Sequence, residues 1–251
     1  MPISMKPFSR STLNLYFRSS LFAISQAFST LLLGPAMVLA RPLSFSIRYG
    51  LANAWVRYNL AVLRWICGLN HTVVGQEHIP PHNGVILCKH QSAWETLALQ
   101  VIFPPLSFIL KQELLKIPVW GWAMATQEPI AIDRTARTAA IKQILRDGEQ
   151  RLKQGRWVVI FPEGTRVPPG EKGQYNASGA LLAARAGCPV IPVAHNAGLY
   201  WAKNGFLKYP GTIQVRIGPA ILTEGRSPAD IMAEVERWIE STQATLESPG
   251  V

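Results

Sequence analysis

Six short apolar runs, separated by helix-forming stretches, restrict this chain to one class of architecture. Gly84–Cys88, Ser107–Leu110, Pro129–Ile132, Trp157–Phe161, Val190–Val193 and Thr212–Ile217 have the length and residue types of buried strands. Between them lie helical stretches such as Ala136–Gln154, and Pro228–Leu246 reads as a closing amphipathic helix with a short polar tail behind it. Alternation of this kind predicts an α/β domain with a mixed, largely parallel sheet flanked by helices. The expected division is an N-terminal membrane-anchoring helical segment, residues 1–69, and a catalytic domain, residues 70–251, long enough to bury a substantial core.

The N-terminal segment differs in charge from the rest. Lys6, Arg10, Arg18, Arg41, Arg48, Arg57 and Arg64 precede the first acidic residue, Glu77, in a chain whose net charge is +10. That asymmetry suits an anionic membrane surface. Ser19 to Ala40 carries no formal charge over 22 residues, long enough to cross a hydrocarbon core of roughly 30 Å. The Gly34-Pro35 pair offers a second outcome, a bend that makes the stretch a re-entrant or interfacial hairpin. Pro42–Leu69 is amphipathic, with Trp55, Tyr58 and Trp65 suited to the headgroup level. Arg48 and Arg57 lie nine steps apart, roughly 180° on one helix, so a break near Gly50 is expected to bring both to one polar face. A signal peptide ending at Val38-Leu39-Ala40 is the rival reading, but the apolar stretch is long for one and membrane-type sequence continues beyond it. Nucleic-acid binding is disfavoured, because there is no basic run and much of the charge sits beside membrane-type sequence.

Two polar segments follow strand-like runs. Lys89-His90-Gln91-Ser92-Ala93-Trp94-Glu95 comes directly after Gly84–Cys88. On one regular helix His90 and Glu95 are about 140° apart and do not meet. They meet if His90 lies in the loop and the helix begins near Ser92. A neutral imidazole can then take a proton from a hydroxyl while the carboxylate fixes its tautomer. Ser92-x-x-Glu95 is also a capping box, in which the glutamate closes the helix N-terminus. The second segment, Phe161-Pro162-Glu163-Gly164-Thr165-Arg166, breaks a strand with turn residues and ends in an arginine that can fork two donors onto a phosphate. The plain alternative is a structural turn with a solvated arginine.

With these two segments in view, the chain resembles the glycerolipid acyltransferase family, and within it the members that convert lysophosphatidic acid to phosphatidic acid. Four motifs occur in order: His90-x4-Glu95; Lys111-Gln112-Glu113-Leu114 through Pro118, Gly121 and Ile132-Asp133-Arg134; Phe161–Arg166; and Val190-Ile191-Pro192-Val193. The resemblance covers roughly residues 70 to 220. It implies that His90 is the general base and Glu95 its partner, and that Glu163, Gly164, Thr165 and Arg166, with Lys111 and Arg134, form the acceptor and phosphate site. It further implies an acyl thioester donor, acyl-carrier protein or acyl-CoA, a lysophosphatidic acid acceptor, membrane lipids as surroundings, and neither cofactor nor metal. Because both donors are cytoplasmic, it implies an inner-membrane enzyme whose catalytic domain faces the cytoplasm. Glu95 departs from the pattern, since the family usually has aspartate there. Two other readings stay open: an acyltransferase for another lysolipid such as a lyso-ornithine lipid, or an inactive lipid-binding scaffold.

Several residues have simpler readings. Lys111 is either a phosphate ligand or a solvated strand-end charge, and Asp133 is an N-terminal cap for the next helix. Lys89 either opposes protonation of His90 or meets a phosphate. His71, His78, His82 and His195 have no metal-ligand spacing, and Cys67, Cys88 and Cys188 read as reduced core residues. No serine or cysteine is paired as a nucleophile, so no acyl-enzyme is expected.

Overall fold

The computed structural model describes residues 10–246, so Lys6 and the expected polar tail lie outside the described residues. Two long helices come first, α1 (Arg10–Leu39) and α2 (Phe45–Val62), followed by a π-helical turn at Leu63–Cys67. The remainder alternates: β1 (Leu69–Val74), β2 (Val85–Cys88), α3 (Trp94–Ile102), β3 (Leu106–Lys111), α4 (Trp120–Ala125), β4 (Ile130–Ile132), α5 (Arg137–Lys153) and β5 (Trp157–Ile160). Then come α6 (Ser178–Ala186), β6 (Val190–His195), α7 (Ala197–Tyr200), β7 (Gly211–Ile217) and α8 (Pro228–Gln243).

The strands form one sheet in the order β1-β7-β6-β2-β5-β3-β4, with every pair parallel except β6 and β7. The expected mixed, largely parallel sheet is therefore present. β2 and β5 are buried along their whole length because helices cover both faces, which is why they read as unbroken apolar runs. One core packs α2, α3 and the π turn onto one face through Val56, Leu63, Trp94 and Phe103. The other packs α5, α6 and α8 onto the opposite face through Ile144, Leu182, Val235 and Ile239. In α8, Ile231, Val235 and Ile239 recur every four residues as the buried stripe, and Ser227 caps its start by accepting the Asp230 N–H at 3.1 Å.

Three local points differ from the sequence reading. The first concerns Gly34-Pro35, which does not bend the chain, since α1 continues through Pro35 to Leu39. Glycine serves contact here: a Cβ on Gly34 would lie 2.5 Å from Val119 Cγ1, so its absence lets α1 approach the segment leading into α4. The second concerns α2, which runs unbroken through Gly50. Arg48 and Arg57 therefore do not share a polar face. Arg48 is buried, 2.5 Å from Glu128 Oε1 and donating to Thr126 O, whereas exposed Arg57 donates to Asn53 Oδ1. The third is β1, which no apolar run announced. It is an edge strand paired only with β7, and most of its residues are partly or fully exposed.

Along α1 the hydrophobic pattern is inverted. Leu13, Phe17, Ile24, Phe28 and Leu31 form an outward stripe, each more than 60% exposed. Ser19 and Phe22 face inward, and Ser19 Oγ accepts the Lys208 N–H. Ser11–Leu39 is long and apolar enough to cross a membrane by length and composition. An exposed apolar stripe of this size suits contact with lipid.

Candidate active site

β2, β3, β4 and β5 run parallel, so the segments leaving their carboxyl ends gather along one edge of the sheet. Chain order diverges around β2, with β5 on one side and β6 on the other, and crevices at such switch points are the usual ligand sites of open α/β sheets. His90 leaves β2, Phe161–Arg166 leaves β5, Lys111 ends β3, and Arg134 follows β4.

The two motif loops are tied together. His90 O accepts the Val167 N–H at 2.8 Å, the His90 N–H donates to Glu163 Oε2 at 2.9 Å, and the Phe161 ring stacks on the imidazole at 4.0 Å. Helix α3 begins at Trp94, later than the expected start near Ser92, and Ser92 acts through Oγ, which accepts the Trp94 N–H. Glu95 therefore sits in the first turn and points back into the loop.

His90 Nδ1 and Glu95 Oε1 are 2.8 Å apart. Since a carboxylate only accepts, Nδ1 carries the proton and Nε2 is left as the free base. The same carboxylate accepts the Gln91 N–H at 2.9 Å and the Ser92 N–H at 2.8 Å. Capping and histidine orientation, two alternatives in sequence, are thus performed by one side chain. Burial by itself would raise the Glu95 carboxyl, but His195, the His90 bond and the Ser92 N–H together hold it below its ordinary value.

His195 completes this buried group. Its Nε2 lies 2.9 Å from Lys89 O and must donate there, and Nδ1 accepts the Ala197 N–H at 3.2 Å. Burial lowers its pKa despite Glu95 Oε2 at 3.9 Å, so it is neutral near pH 7. Lys89 is buried rather than open to a ligand: Nζ lies 2.7 Å from Glu163 Oε1 and 2.9 Å from Glu240 Oε1 on α8. Tyr175 donates to the same Glu240 oxygen at 2.6 Å, and burial with that bond pushes its hydroxyl far above the usual range. Gln243, also on α8, donates to His195 O at 2.8 Å and accepts from Gln91 at 3.1 Å. The end of α8 therefore braces the back of the histidine loop.

In front of His90 opens a cavity of about 600 Å³. Lys111, Arg134, Gly164, Thr165 and Arg166 all line it with His90, whereas the Glu163 side chain is fully buried behind the turn. Gly164 adopts φ +65, a conformation that favours glycine, and its carbonyl accepts from Arg134. Asp133 accepts the Thr135 N–H and hydroxyl, shaping the Arg134 loop, while Ala136 occupies the N-cap of α5. Lys203 joins the cations from the loop after α7, donating to Arg166 O at 2.9 Å. It belongs to no motif, and its only sequence signal is one positive charge beyond the fourth motif. Away from the cations the cavity reaches Gln26, Trp55, Trp120 and Met124, and a small apolar pocket of about 40 Å³ at Gly34, Met37 and Ala52 shares its wall there.

The segments thus set a buried His–Glu pair beside a cavity lined by four cations, an arrangement suited to activating a hydroxyl next to an anionic group. In agreement, the acyltransferase family model matches residues 70–196, and the chain belongs to that family. It is 45% identical to the 1-acyl-sn-glycerol-3-phosphate acyltransferase of Pseudomonas aeruginosa, over 91% of each chain. The 1-acyl-sn-glycerol-3-phosphate acyltransferase of Saccharomyces cerevisiae is 30% identical over 75% of this chain and 64% of its own. The crystal structure of the 1-acyl-sn-glycerophosphate acyltransferase of Thermotoga maritima superposes with a TM-score of 0.78 at 21% identity, covering 96% of this chain and all of that one. That last likeness shows a shared fold.

Proposed function

We propose that this enzyme transfers a fatty acyl group from acyl-CoA or acyl-carrier protein to the sn-2 hydroxyl of 1-acyl-glycerol-3-phosphate, forming phosphatidic acid and a free thiol. The observation that carries the reading is the His90 imidazole, held through Nδ1 by Glu95 with Nε2 left free, in a cavity that also holds Lys111, Arg134 and Arg166. His90 Nε2 takes the hydroxyl proton, and the oxygen attacks the thioester carbonyl carbon. The tetrahedral intermediate then expels the thiolate by breaking the C–S bond, and the imidazolium returns its proton to the sulfur. Glu95 remains ionised throughout and stabilises the imidazolium. The cations hold the acceptor phosphate, with Arg166 suited to a two-donor fork. The names of the relatives support the same acceptor.

The protein acts at the inner membrane with its catalytic domain toward the cytoplasm, where the thioester donors are. α1 lies in the plane of the bilayer rather than across it. From Ser19 to Met37 one side of the helix packs on the protein and the other is apolar and exposed, which supports this placement.

The test is thiol release by purified protein in detergent, given palmitoyl-CoA or palmitoyl-carrier protein with and without lysophosphatidic acid. Turnover that needs lysophosphatidic acid is expected with at least one donor. Equal turnover on a lysolipid lacking the phosphate, or no turnover with either donor, would overturn the reading. Glu95→Asp tests the longer carboxylate: a lower kcat at unchanged KM is expected, because a carboxylate one methylene shorter is drawn away from the positions at which Glu95 meets His90 and the loop amides.

A further inference from the structure

The turn at Phe161–Gly164 has a second cavity on its other side, of about 510 Å³. Its apolar wall comes from Ile132, Ile141 and Ile144, residues of β4 and α5 on the sheet face opposite α3. Gln174, Asn176 and Ser178 supply amide and hydroxyl groups along its other side. The two cavities meet at the carboxyl edge of the sheet, where Ile109, Arg134, Phe161 and Gly164 line both. Phe161 stacks on His90, so this shared wall adjoins the base.

The two cavities differ in what they can reach. α1 and α2 contribute Gln26 and Trp55 to the first, so it opens beside the N-terminal helices. Neither helix contributes to the second, which opens among α5, α6 and the loop before α6. A two-substrate transfer between a membrane lipid and a water-soluble carrier needs this separation. We propose that the second cavity receives the pantetheine arm of the thioester donor, with the sulfur at the shared wall and the acyl chain directed into the first cavity. This rests on the acyl-transfer reading above.

The arm is a narrow chain with two amide groups, and the cavity has matching parts, an isoleucine wall for its methylenes and methyls and a polar side for its amides. Acyl-CoA and acyl-carrier protein share this arm and differ beyond its phosphate. One cavity therefore serves both carriers, and the same residues set the KM for both.

Ile141→Trp fills the cavity from its rim, where the residue is 37% exposed, and Gln174→Ala removes an amide from the exposed polar side. In full-length protein, Ile141→Trp is expected to raise KM for palmitoyl-CoA and for palmitoyl-carrier protein alike by about tenfold, comparable to losing one or two good contacts. Gln174→Ala shifts both in the same direction by less, and KM for lysophosphatidic acid stays unchanged in each variant. Free pantetheine competes with either donor in the wild type and no longer does so in Ile141→Trp. Unchanged donor KM in both folded variants, a rise for one carrier alone, or a rise in the lysophosphatidic acid KM overturns the proposal. Calorimetric titration with CoA separates the two readings. CoA binding that Ile141→Trp abolishes, in a protein that turns over no lysophosphatidic acid, leaves the cavity assignment standing while the proposed function falls.

Discussion

The histidine loop and the cationic rim border one cavity and are opposite in construction. Around His90 nearly every polar atom is buried and has a fixed partner: Glu95 holds the imidazole and two loop amides, and Glu163 holds Lys89 and the His90 N–H. At the rim, Lys111, Arg134, Arg166 and Lys203 are long side chains reaching into an open cavity, and Lys111, Arg134 and Lys203 are exposed. The difference teaches how the work is divided. Proton transfer needs a base whose orientation does not vary, so burial and backbone bonds set it before substrate arrives. In the proposed reaction the incoming phosphate is held by charge, which tolerates movement, and cations left in water cost little while the site is empty.

The largest test of this contrast is His90→Ala, expected to lower kcat by about 10³-fold while leaving KM for lysophosphatidic acid nearly unchanged. A large KM change with kcat intact would make His90 a binding residue and remove the distinction. Next in size is Lys89→Met, which leaves the Glu163 carboxylate buried without its cation. Removing one partner of a buried pair costs about 3–5 kcal/mol, so a lowered denaturation midpoint is expected, whereas a midpoint equal to wild type would show that the pair is not held in the dark interior as described.

Arg166→Ala should act on binding, raising KM for lysophosphatidic acid by a factor of about 10 to 100, the loss of a charged hydrogen bond. Added salt should weaken wild-type binding in the same direction and change the variant less. Lys203→Ala is expected to do the same by only a few-fold, because that side chain is exposed.

The last test reads stability against pH. His195 is lowered from 6.5 by burial, so the unfolded chain binds its proton more readily than the folded one. Its contribution is complete above pH 6.5 and is lost as pH falls below that value, at up to about 1.4 kcal/mol per pH unit. Glu95, held below 4.5, adds a second loss of the same sign at lower pH. Urea titrations at pH 7.5 and 5.5 read the first loss, and His195→Gln should reduce the difference between them.

Much of the central sheet was legible because strands buried on both faces must be apolar throughout, as in Val85–Cys88 and Trp157–Ile160. β1 was not, since an edge strand with an exposed face needs no such run. The meeting of His90 and Glu95 was deducible from helix geometry, while the two possible duties of Glu95 were separable only once the Gln91 and Ser92 amides were seen to share the carboxylate with the imidazole.

Local order alone therefore determined the strand and helix periods, the uncharged stretch and basic surplus of the N-terminal segment and the turn chemistry of Phe161–Arg166, because each depends on neighbours within a few residues. Tertiary structure decided the rest. The turn of Arg48 inward to Glu128, the burial of Lys89 between Glu163 and Glu240, the bracing of His195 by Gln243, and the arrival of Lys203 at the rim all join residues from separate elements. No spacing in the chain encodes such pairings. They follow from which elements the sheet order brings to one edge and from the need of each charge buried there to find a partner.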